Sequence, residues 1–97
     1  MEEIFIIPNA IELELSAEEL KKVVKLMDEL NRLASAGYLY TQTALDIAKK
    51  AEYGLLRSYH MIQKVDCPGV DDLRKNIIVS IMSMKLMVKV ISLQIES

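Results

Sequence analysis

The sequence predicts a mainly α fold: an antiparallel three-helix bundle preceded by an N-terminal β-hairpin, in a single domain of 97 residues. Three observations carry this. Apolar residues recur at alternating steps of three and four through most of the chain, the periodicity of packed helices. Gly37 and the segment Asp66-Cys67-Pro68-Gly69 interrupt that periodicity, dividing it into expected helices over 17–36, 38–65 and 71–96. Ahead of them, 1–15 reads as a hairpin: an apolar run at 3–7, a Pro8-Asn9 turn, then alternation of Ile11, Leu13 and Leu15 with Glu12 and Glu14.

The first helix is expected to begin at Ser16. Ser16 and Glu19 have capping-box spacing, and Leu15 and Leu20 occupy the staple positions around them. Leu20, Val23, Met27, Leu30 and Ala34 would form its core face, and Gly37 would end it in a left-handed conformation.

The second helix carries a four-three seam of Tyr40, Ala44, Ile47, Ala51, Gly54, Ser58, Met61 and Val65. Its middle is small, so another helix can approach closely. Gly54 costs about 1 kcal/mol relative to Ala in a helix, and a close contact is a reason to keep it. Leu45, Ala48, Leu55, Tyr59 and Ile62 widen the apolar arc. Pro68-Gly69 suits a type II turn, after which Asp71 or Asp72 would cap the third helix.

The third helix can bury two faces. Ile77, Ile81, Met84, Val88, Ile91 and Ile95 form a heptad seam, and Val79, Met82, Leu86, Val90 and Leu93 a second stripe. A surface helix of a monomer needs one such stripe. Two imply a central helix or one shared between subunits, so a homo-oligomer is expected, a dimer first of all, with the Ile77–Ile95 series as the candidate seam. The composition agrees: 52% apolar residues but 5% aromatic gives an aliphatic core, and so short a chain buries only a modest share of its surface.

Length alone would let residues 77–95 cross a bilayer. Lys85 and Lys89 near the middle of that run oppose it, at about 2.5–3.5 kcal/mol each. The start Met1-Glu2-Glu3 lacks the basic character of a signal peptide. With Cys67 as the sole cysteine there is no intramolecular disulfide, and a cytoplasmic protein that does not enter membranes is expected.

The net charge of −2 neither attracts nor repels nucleic acid. One face of the second helix is nevertheless basic: Lys50, Tyr53, Arg57, His60 and Lys64 follow at steps of three and four. Such a stripe can hold phosphates and stack a base on Tyr53. It is more often a solvated face whose charge nearby acids cancel, here Asp46, Glu52 or acids of the first helix. On the candidate second strand, Glu12 and Glu14 would point outward, which disfavours DNA reading by that strand.

No catalytic constellation is present. His60 is the single histidine, with Ser58 two residues away and so on another helical face. Cys67 has no histidine in sequence reach. No metal-ligand spacing and no glycine-rich phosphate loop occurs. Four methionines fall in 61–87, and because Met82 and Met84 sit on opposite stripes of the third helix they read as core filling. The expectation is a non-enzymatic interaction or assembly module that self-associates through its helices, without cofactor or metal. The alternative is a small nucleic-acid-binding regulator using the basic stripe.

Overall fold

The computed structural model describes residues 10–97. It contains three helices: α1 (Ala10–Ser35), α2 (Gln42–Ile62) and α3 (Val70–Glu96). No strand occurs among the described residues. The expected first strand at 3–7 and the Pro8-Asn9 turn lie outside them.

The expected second strand, 11–15, is instead the first turns of α1. Five alternating residues are too few to separate the two periods, and Leu and Glu are good helix formers. The Ser16 cap is therefore corrected as well. Ser16 sits inside α1, fully buried, and its hydroxyl donates to the Ser58 carbonyl oxygen at 3.3 Å. Ser58 reciprocates with a hydroxyl bond to the Ser16 carbonyl oxygen at 3.2 Å. The polar pair that resembled a helix start is a contact between two helices.

Gly37 ends α1 as expected, at φ +86°. The Gly37 N–H donates to Ala34 O and the Tyr38 N–H to Leu33 O, at 3.1 and 2.7 Å. This is the Schellman arrangement, which satisfies carbonyls left free at a helix end. The second helix starts four residues later than 38. Thr41 caps it, accepting from the Ala44 N–H at 3.2 Å while its own hydroxyl donates to Tyr38 O at 2.8 Å.

The corner between α2 and α3 is a type II turn. Gly69 lies at φ 83°, ψ −9°, and the Val70 N–H donates to Cys67 O at 3.2 Å. Gly69 occupies the N-cap, so neither Asp71 nor Asp72 caps α3; both sit in its first turn, where the helix dipole favours them. Arg74 fastens this corner. Its guanidinium donates to the carbonyl oxygens of Ile62 (2.9 Å) and Val65 (2.8 Å) and to Asp71 (2.6 Å). The Ile62 carbonyl, which also accepts the Val65 N–H at 3.1 Å, and the Val65 carbonyl just past α2 are thereby bonded at the helix end.

α2 is the central element. Ser16 meets Ser58 and Val23 meets Gly54, so α1 runs antiparallel to α2. A Cβ on Gly54 would stand 2.7 Å from Val23 Cγ2. The small seam therefore serves the close helix approach for which its composition suits it. On α1 the buried positions are Ser16, Glu19, Val23 and Leu30, flanked by half-buried Leu13, Leu20, Leu26 and Leu33. Met27 and Ala34, expected in the core, are exposed; the face is rotated toward the Glu19 side.

α3 folds back along α2. Ile77, Ile81, Met84 and Ile91 are buried in the shared core, and Val88 packs against it. No Cα of α1 lies within 8 Å of a Cα of α3. The three helices are thus two antiparallel pairs sharing α2, more open than a closed bundle.

Candidate functional site

Two surfaces stand out once the core is assigned. The first is a cleft of about 470 Å³ between α1 and α2. Val23, Leu26 and Gly54 give it an apolar floor, and Lys22, Lys49, Lys50, Tyr53 and Arg57 form its rim with Glu19. It runs alongside the contact in which Val23 packs directly on Gly54. The cleft brings Lys50, Tyr53 and Arg57 of the expected basic stripe together; His60 and Lys64 continue the exposed face beyond it.

The stripe is partly neutralised. Glu19, a buried carboxylate of α1, forms an ion pair with the half-exposed Arg57 and has the Lys22 ammonium at 3.9 Å. The Arg57 guanidinium also lies over the Tyr53 ring, 4.7 Å from its centroid, a cation–π contact. Asp46 accepts from Gln42 Nε2 at 2.9 Å and not from a lysine. Lys49, Lys50 and Lys64 make no ion pair among the described residues. The rim thus holds four cations against one carboxylate, which already pairs with two of them, Arg57 and Lys22. An acid of the first helix among these cations was expected; its identity as Glu19 and its pairing with Arg57 were not. Its signal was present: Glu19 falls on the seam line Ser16–Glu19–Val23.

His60 is exposed and meets Tyr59 edge-on, with centroids 6.3 Å apart. Cys67 is a half-buried free thiol in the corner turn. Among the described residues no three His, Cys, Asp or Glu side chains gather where they could hold a metal ion.

The second surface is on α3. The candidate oligomer seam must be corrected. Ile77, Ile81, Met84, Val88 and Ile91 are taken up by the chain's own core, and only Ile95 at the end of the series is exposed. An antiparallel helix hairpin consumes a regular four-three seam as readily as a dimer does. What stays uncovered is the other stripe: Val79, Met82 and Leu86 are 61%, 65% and 63% exposed, and Val90 and Leu93 are exposed with them. At 3.6 residues per turn this stripe lies opposite the buried one. Lys89 borders one edge, and Ser83 and Gln94 border the other.

By length and composition α3 is also apolar enough to cross a membrane. Two features oppose that: Lys85 and Lys89 are exposed along it, and the α2 helix packed on it carries Lys49 and Lys50 on its outer surface. No family model matches the sequence, and neither a curated protein nor a solved structure matches it.

Proposed function

We propose that this chain is a non-enzymatic assembly module that self-associates, as a homodimer, through its third helix. The observation that carries the reading is the uncovered stripe Val79, Met82, Leu86, Val90 and Leu93. Contiguous apolar patches of several hundred Å² on a soluble protein mark interaction sites. This one is ordered along a single helix whose opposite face is already packed, so a dimer would make α3 an interior element on both sides. Sedimentation velocity over a range of micromolar concentrations tests it. The wild type should sediment as a dimer, and Leu86→Glu as a monomer with unchanged helical circular dichroism. A wild type that stays monomeric throughout, soluble and folded, would defeat the proposal.

The cationic rim of the α1–α2 cleft, continued beyond it by Lys64, supports a second reading, nucleic-acid binding, because Lys49, Lys50 and Lys64 have no ionic partner among the described residues. Phosphate contacts weaken steeply with salt. A gel shift at about 50 mM salt, lost in a Lys50, Arg57 and Lys64 charge-reversal variant that still folds, would favour this reading.

A further inference from the structure

The spacing of the exposed stripe specifies more than that a partner exists. Counted from Leu86, Val79 and Leu93 stand seven residues before and after it, and Met82 and Val90 four residues before and after. The stripe is symmetric about one residue. We infer that α3 pairs with α3 of a second copy in antiparallel register, with Leu86 on the two-fold axis. The inference rests on the self-association proposed above and adds its geometry.

A two-fold perpendicular to the helix at Leu86 sets Val79 against Leu93 of the other copy, Met82 against Val90, and Leu86 against itself. Every layer then joins side chains of similar total volume, and the two largest mismatches in size are complementary across the contact. A parallel dimer would face Val with Val and Leu with Leu, so that wide and narrow layers would alternate. A parallel coiled coil also needs a heptad, and the stripe breaks it: after Val79, Met82 and Leu86 the next heptad position is Lys89, and the apolar residue is Val90. The steps repeat after eleven residues, which keeps a stripe nearly straight along the helix. Antiparallel helix dipoles attract where parallel ones repel.

The area is adequate. Five side chains with roughly 100 Å² each in water come to about 1,000 Å² over two copies, the threshold for a specific interface. Such an interface is isologous: one patch, self-complementary and closed, so assembly stops at two. The arrangement has one unfavourable feature. It brings Lys89 of both copies to the same edge, offset by about 9 Å along the axis at 1.5 Å per residue, with Lys85 beside them.

Single cysteines placed along the stripe of the full chain, in a Cys67→Ser background, distinguish the registers by mild oxidation. Leu86→Cys should form a covalent dimer by itself. Val79→Cys and Leu93→Cys should each fail alone and cross-link when mixed, as should Met82→Cys with Val90→Cys. Sedimentation of the uncrosslinked wild type reports self-association independently. A wild-type dimer in which Val79→Cys and Leu93→Cys each self-link means a parallel pair, so the inference falls and the proposed function stands. A wild-type dimer with no stripe cysteine cross-linking overturns the inference and moves the contact elsewhere. A wild-type monomer overturns both. In that case, protection of the Leu86→Cys thiol from a maleimide only on adding phosphatidylglycerol vesicles would assign the stripe to a lipid surface.

Discussion

Gly54→Ala puts a number on the closest helix approach in the molecule. In an ordinary helix the change stabilises by about 1 kcal/mol, because glycine loses more backbone freedom on folding. Here the added Cβ would meet Val23 Cγ2 at 2.7 Å, well inside van der Waals contact. Val23 cannot turn aside cheaply. It is buried, and a valine in a helix is held to one preferred rotamer. Relief must come from α1 and α2 moving apart, which strains the Ser16–Ser58 hydrogen bonds one turn away. Overpacking of this kind costs about 1–3 kcal/mol. Set against the gain in helix propensity, the net expectation is a loss of about 1 kcal/mol. Val23→Ala alone should cost about 2 kcal/mol through lost burial and the space it leaves. In that background Gly54→Ala meets no clash and should recover about 1 kcal/mol. The sign of the glycine substitution thus reverses with its neighbour, a coupling of about 2 kcal/mol, within the range for residues in contact. Urea denaturation followed by circular dichroism, at one protein concentration because self-association adds stability, measures all four corners. If Gly54→Ala stabilises the protein with Val23 in place, the close approach is not there and the reasoning fails.

That seam was readable in the sequence because Ala44, Ala51, Gly54 and Ser58 signal small volume wherever they fall on a helix. The two breaks were readable for a similar local reason: Gly37 and Gly69 both adopt φ near +85°, which other residues rarely tolerate. Ser16 was not readable. Serine followed by glutamate three residues later satisfies a capping box and also fits a buried interhelical contact; only the partners Ser58 and Arg57, about 40 residues away, distinguish the two. The 11–15 segment failed because its alternation is short and nothing in it resists helix. The two stripes of α3 were both legible, yet not their assignment. The more regular one suited a subunit interface, but regular spacing reports a packed helix and says nothing about whose helix packs on it. The cleft site lay between these cases, since its α2 residues form a visible stripe while Glu19 and Lys22 arrive by tertiary packing.

Three further perturbations read separate parts of the structure. The Glu19–Arg57 pair should respond unequally. Arg57→Ala leaves a buried carboxylate with only the Lys22 ammonium at 3.9 Å and should cost about 2 kcal/mol, whereas Glu19→Gln leaves a half-exposed guanidinium that water can solvate and should cost less than half of that; equal losses in urea midpoints would contradict the burial. Arg74→Ala removes the side-chain donor of the Val65 carbonyl and one of two donors to the Ile62 carbonyl, which keeps the Val65 N–H. It should cost about 2 kcal/mol and raise amide hydrogen exchange first in residues 62–74, with no such local rise if the guanidinium is merely a surface charge. Lys89→Glu tests the antiparallel contact through its unfavourable feature. In the wild type, Lys89 of each copy approaches Lys85 of the other, so added salt should screen the repulsion and tighten the dimer, opposite to the salt dependence of phosphate binding. The variant turns those contacts into attractions. Its dimer should be tighter than wild type at low salt and should loosen as salt rises, and sedimentation equilibrium at two ionic strengths reads both trends. In a parallel dimer Lys89 would instead face the Ser83 and Gln94 edge of the other copy, which carries no charge there. Dissociation constants that ignore the Lys89→Glu change at both ionic strengths would therefore rule against the antiparallel pair while leaving self-association itself intact.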